Sequence, residues 1–314
     1  MISAPGYLWN SIKVSKNHLP TPTREMNERS YKMRRSLSKI LVVEYFCLLI
    51  FALALPIQSQ AKIDPATCAG AWIFDDPGTD ELQDISGNGN NCTVKGNPKW
   101  GDSNFGQGIE FDGTDDLVEC PDNDTLNVGV DNFSLVVWLR CAKYDPGEWE
   151  AQVIFKFDHT APRHGYLLAV RGSLDAGNMN KPVFILGLGD ASGIHTFGTK
   201  PINDDVWHHL AVTVDRKGAV ILYRDGAIEA QQNIAGYAAQ NEDNTRVFNI
   251  GSETGTPGRY IQGLIDEVAL FKTVLTEGDI NNVMSFGLKK IIGGNAISPS
   301  DKMALTWGAA KAGY

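Results

Sequence analysis

The apolar residues of this chain fall into short runs, cut apart by clusters of glycine, asparagine, aspartate and proline. From Ala71 onward the runs cover 71–74, 108–111, 117–120, 133–141, 152–157, 166–171, 183–188, 207–215, 219–223, 247–250 and 264–271. At least eleven short strands with turn signals between them predict an all-β sandwich or barrel. The runs 133–139 and 210–214 are rich in β-branched and aromatic residues and read as central strands. Two hairpins are legible. Asp215-Arg216-Lys217-Gly218 joins two strong runs, with Gly218 expected at positive φ, and Asp225-Gly226 forms a second tight turn. Helix is scarce. Thr276 is placed to cap one or two turns reaching about Phe286. No repeat is visible, and no strand–helix alternation supports a dinucleotide-binding fold.

The amino terminus reads differently. Residues 1–32 have no apolar periodicity and form a spurious or disordered extension, with Met33 as the expected true start. Arg34, Arg35 and Lys39 precede an apolar stretch over 40–57, and Ser59-Gln60-Ala61 follows. That order defines a signal peptide over 33–61, cleaved after Ala61, and so an exported protein; the alternative is an uncleaved anchor. Residues 62–286 form the expected domain. The tail, 287–314, either packs through Trp307 or hangs free.

Charge sharpens the picture once the leader is set aside. Residues 62–314 hold 20 basic and 34 acidic side chains, a net of −14. Such a surface argues against binding nucleic acid, which needs clustered lysine and arginine. It fits an extracellular module and oxygen-rich cation sites. Cys68, Cys92, Cys120 and Cys141 are an even set in an export context; they allow three pairings, or some are simply small buried hydrophobes.

Six segments in order carry a family likeness: Ala71-Trp72-Ile73-Phe74-Asp75, the loop 84–91, the stretch 105–113, Trp207-His208-His209-Leu210-Ala211-Val212-Thr213, Leu222-Tyr223-Arg224-Asp225-Gly226, and 263–271. Together they resemble the laminin-G-like jelly rolls of the concanavalin A-like lectin and glucanase superfamily. The resemblance implies a sandwich of two antiparallel sheets and, often, a structural Ca²⁺. Asp266 is the expected ligand, with Asp112, Asp84 and Asn88 as partners. Each acid also has a plain structural reading, Asp266 as a buried anchor and Asp84 and Asp112 as Asx turns.

The superfamily holds lectins, adhesion modules and glycosidases alike. A retaining glycosidase needs two carboxylates about 5 Å apart. The nearest match, Glu110-Phe111-Asp112, lacks the third acid of the laminarinase pattern, and Gly113 would break the strand. Histidines 208 and 209 would point to opposite faces of one strand and cannot chelate one ion together. Binding is therefore expected rather than catalysis. A glycan site wants aromatic platforms beside hydrogen-bonding groups, and Tyr144, Trp149, His164 and Tyr260 are the candidates, with His159 and Tyr237 behind them. Trp149 reads equally well as packing over the sandwich end. The expected partner is a glycan or an extracellular protein; the alternatives are a hydrolase or lyase of the same superfamily and a purely structural surface module.

Overall fold

The computed structural model describes residues 63–293, apart from 146, 148, 191 and 192, together with Tyr31 and Met33. Apart from Tyr31 and Met33, the expected leader, extension and far tail thus lie outside the described residues. The chain divides into two compact units, 1–59 and 60–314, and the account below concerns the second.

Among the described residues, sixteen strands make two antiparallel eight-stranded sheets. The first sheet runs, edge to edge, β14 (Ala227–Asn233), β13 (Ala219–Arg224), β12 (His208–Val214), β7 (Phe133–Cys141), β16 (Gln262–Phe271), β5 (Gly106–Asp112) and β4 (Lys99–Ser103), with β1 (Cys68–Trp72) also on β16. The second runs β11 (Ile194–Phe197), β10 (Pro182–Leu186), β9 (Gly165–Val170), β8 (Ala151–Phe157), β15 (Phe248–Ile250), β6 (Leu117–Cys120), β3 (Cys92–Lys95) and β2 (Glu81–Leu82). The predicted central strands are β7 and β12, both interior to their sheet.

Alternation sorts the side chains into three apolar groups. Tyr166, Leu168, Val170, Phe184 and Leu186 face inward and join Trp72, Phe133, Phe248 and Ile265 in the core between the sheets. Phe155, Phe157, Leu167, Ala169, Val183 and Ile185 form a second cluster on the outer face of the second sheet. A third, on the outer face of the first sheet, packs Val136, Ala211, Tyr223 and Ala269 against helices α1 (Glu277–Phe286) and α2 (Leu288–Gly293). Thr276 caps α1 in a capping box with Asp279, as its position suggested. The segment after Gly287, expected as tail, continues the fold: Leu288 and Ile292 of α2 are buried.

Local chemistry is mostly as read. Asp225 and Gly226 both take positive φ (52° and 79°), as a tight hairpin requires. Gly218, by contrast, is not at positive φ; the Asp215 carbonyl accepts its N–H, and Asp215 Oδ1 accepts from Lys217. Cys92 and Cys120 are disulfide-bonded, because the β3–β6 register (Thr93 opposite Glu119) sets them across from each other. Cys68 and Cys141 are free and buried. Burial pushes both thiols up, Cys141 to about 12.

Candidate functional site

Three loops meet over the outer face of the second sheet. The chain before β8 carries Trp149 and Glu150, the chain after β9 begins with Arg171, and the chain before β16 carries Arg259. Gly172 lets the first two approach: a Cβ there would lie 1.7 Å from the Trp149 carbonyl oxygen. Ser173 then donates both its N–H (2.8 Å) and its hydroxyl (3.0 Å) to the Gly147 carbonyl. Between the loops lies a pocket of about 220 Å³. Phe157 and Ile185 belong to its apolar floor; Trp149, Glu150, Arg171 and Arg259 form one wall. His159, Arg163 and His195 complete the lining.

Its polar wall is built on one carboxylate. Glu150, 3% exposed, accepts from Arg171 Nη1 at 2.6 Å and from Arg259 Nη1 at 2.5 Å. Burial alone would raise Glu150, but the Arg259 charge, the hydrogen bonds and the Arg171 charge together hold it below the usual carboxylate value. Arg259 lies 5.3 Å from the Trp149 ring centroid, a cation–π contact that orients the half-exposed indole. Glu253 Oε2 stands 3.2 Å from His159 Nε2 and 3.5 Å from Arg259 Nε. His159 in turn packs on Phe155 and Phe157, with ring centroids 5.7 and 5.2 Å apart. Arg171 Nε, both amide atoms of Gln152 and the Ser252 hydroxyl are buried without a hydrogen-bond partner. Buried polar groups are nearly always satisfied, and of these four atoms only Arg171 Nε belongs to a residue that lines the pocket.

Of the four residues expected to hold a ligand, Trp149 lines this pocket. Tyr144 instead packs against the core between the sheets and donates its hydroxyl to the Tyr260 carbonyl at 3.4 Å; burial raises its phenol. Tyr260 lies beside β8 through a bridge to Gln152. The His164 ring meets the Asn241 carbonyl at 2.8 Å, tying two loops, and stands 3.9 Å from buried Glu242. Burial, against the charge of Arg216, pushes Glu242 up to about 7.

The expected calcium ligands are spread out. Asp84 accepts the N–H groups of Ala71, Ser86 and Asn90 and the Ser86 hydroxyl, while Asn88 donates to the Cys68 and Ala69 carbonyls. Both residues pin β1 to its neighbouring loop. Asp112 accepts from Thr114 at 2.7 Å in an Asx turn, and one of its oxygens lies within 4.8 Å of Asp115 and Asp116. It pairs with Gln262, four residues along β16 from Asp266, or ~13 Å at strand rise. Asp266 itself is fully buried at a bulge in β16, where Glu267 takes φ 54° and the partner strand changes from β5 to β1. Ser103 donates its hydroxyl to Asp266 Oδ2.

The acids whose charges bear on Asp266 are Glu267 and Asp75, which line one pocket. Burial first, and then the charges of Glu267 and Asp75, push Asp266 up to about 8 against the Ser103 hydrogen bond. Burial and Asp75 push Glu267 up to about 7, against the hydrogen bond it receives from Leu288. The cation paired there, Lys289 at 3.2 Å from Asp75, is largely exposed. Among the described residues, the acids whose ligand atoms all lie within 4.8 Å of one another are Asp112, Asp115 and Asp116, not Asp75, Asp266 and Glu267.

The family model for the concanavalin A-like lectin/glucanases superfamily, Laminin_G_3, matches residues 112–281, and the chain belongs to that superfamily. Among solved structures it is similar to the binding domain of Paraclostridial Mosquitocidal Protein 1 (16% identity, TM-score 0.58), over 70% of this chain and 52% of that one. It is likewise similar to the binding domain of botulinum neurotoxin DC in complex with SialylT (16%, TM-score 0.56) and with rat synaptotagmin II (15%, TM-score 0.55), at the same coverages. At such identities the likeness shows the fold alone, and the chain spans about half the length of these binding domains. No curated protein matches the chain.

Proposed function

We propose that this chain is an exported binding module that recognises a glycan, with the ligand seated in the pocket over the second sheet. The observation that carries the reading is the pocket itself. A half-exposed indole stands beside guanidinium groups locked in place by Glu150, above an apolar floor. Apolar stacking plus fixed hydrogen-bonding groups is what sugar recognition needs. Binding domains with the same fold, one solved with SialylT and one with synaptotagmin II, support binding as the general task. Catalysis is disfavoured, because Glu150 and Glu253 are both engaged with Arg259 and neither is placed as an unencumbered acid or nucleophile. No helix among the described residues is long and apolar enough to cross a membrane. Export itself rests on the leader pattern of residues 33–61. Calcium, on this reading, is structural and rests on Asp266, away from the ligand.

A glycan array probed with the full chain, once with calcium and once with EDTA, tests the reading. Hits on a defined glycan class support it. Silence under both conditions from a folded protein would overturn it in favour of a protein partner or a structural role.

A further inference from the structure

The pocket lining is rich in cationic donors, and its one carboxylate is already committed. Residues 62–314 contain seven arginines, at 140, 163, 171, 216, 224, 246 and 259. Three of them, Arg163, Arg171 and Arg259, line this one pocket in a chain that is otherwise strongly acidic, and two histidines stand beside them. On the acceptor side, Glu150 is the one carboxylate among the lining residues, and each of its oxygens already receives a guanidinium N–H. On the donor side, Arg171 Nε is buried with no hydrogen-bond partner, and Arg259 Nε makes only a 3.5 Å ion pair with Glu253 Oε2. A neutral sugar hydroxyl placed on these donors brings a proton of its own, which then needs an acceptor. A carboxylate is acceptor-only and suits a guanidinium fork, with charge-assisted bonds roughly twice as strong as neutral ones.

Size and shape narrow the ligand further. Sites for drug-sized ligands start at about 300 Å³. A pocket of about 220 Å³ that ends on Phe157 and Ile185 admits one ring rather than a stretch of polymer. Trp149, 49% exposed, offers that ring a flat apolar face at the mouth. We propose that the pocket takes a single carboxylate-bearing sugar residue at the end of a glycan, its carboxylate on the Arg171–Arg259 pair and its ring on Trp149. This rests on the glycan reading above and names the class of sugar.

Calorimetric titration of the full chain with glucuronate, galacturonate and N-acetylneuraminate, beside glucose, galactose and N-acetylgalactosamine, separates the possibilities. The expected result is at least tenfold tighter binding of one acidic sugar than of any neutral one, weakening as salt is raised. Arg171→Gln should lower that affinity at least tenfold, with circular dichroism confirming the fold; Trp149→Phe serves as a milder second variant and should weaken acidic sugars while keeping the acid preference. Equal binding of neutral and acidic sugars would overturn the inference and leave the glycan reading standing. So would binding of neutral glycans on the array with no response to any acidic monosaccharide. No response to any sugar, on the array or in the titration, would overturn both.

Discussion

Replacing Glu150 by glutamine probes the element on which the whole site depends. The side chain is 3% exposed and bridges two guanidiniums at 2.6 and 2.5 Å. Glutamine keeps the shape, but it removes the charge that balances Arg171 and Arg259 and can no longer accept from both without turning a donor toward one of them. Breaking a buried ion pair by removing one partner costs about 3–5 kcal/mol, because a charge is left uncompensated. For a domain of this size each kcal/mol is about 2–4 °C in Tm, so the midpoint should fall by ~6–20 °C. Thermal melts followed by circular dichroism, with urea unfolding to give the free energy, are the assay. Replacing the trio together (Glu150→Met, Arg171→Met, Arg259→Leu) should recover most of the stability while abolishing ligand binding. The pH dependence has a definite sign. Glu150 is held below its ordinary value of 4.5 in the fold, so its contribution is present above that value and is lost as pH falls through the lower folded value. A loss under ~1 kcal/mol for Glu150→Gln would mean that water screens the trio as it does surface pairs, and the reasoning would fail.

Four other outcomes are expected. Trp149→Ala should weaken glycan binding while costing under ~1 kcal/mol of stability, since its indole is half exposed; a large drop in Tm would instead mark it as core. Replacing Cys92 and Cys120 by serine should cost ~3–4 kcal/mol in urea unfolding, from the 28-residue separation the bridge closes, and an unchanged midpoint would contradict this. Calcium should raise the Tm of the native chain but not of Asp266→Ala; equal melting of the native chain in EDTA and in excess calcium would remove the metal from the account. His208 is bonded by Asp225 at 2.8 Å and Asp204 at 3.2 Å, and these partners raise it against the cost of burial. Its contribution is therefore full below the ordinary histidine value and is lost as pH rises through the folded one, a slope that His208→Gln should flatten.

The fold was legible because its signals are local. Period-two runs gave the strands, Asp225-Gly226 gave a hairpin, and Thr276 gave the start of α1. The site was largely illegible, for a physical reason. Glu150, Arg171 and Arg259 are 21 and 109 residues apart and meet only because β8, β9 and the approach to β16 are neighbours in space. Trp149 could be noticed as an aromatic in a loop; its partners, an ordinary glutamate and two arginines, show no pattern along the chain. The calcium reading had a related blind spot. Asp266 was visible through its family segment, but whether Asp112, Asp84 or Asp75 lies near it depends on where β16 changes partner. Four residues along a strand put Asp112 out of reach.

The central claim is that a glycan is bound in the pocket walled by Trp149, Glu150, Arg171 and Arg259. The most direct measurement is a glycan array probed in parallel with the native chain and with Trp149→Ala/Arg171→Gln, both shown folded by circular dichroism. The account predicts a defined set of hits for the native chain that is lost in the double variant. Hits that survive the double substitution would place the ligand elsewhere on the sandwich and contradict it.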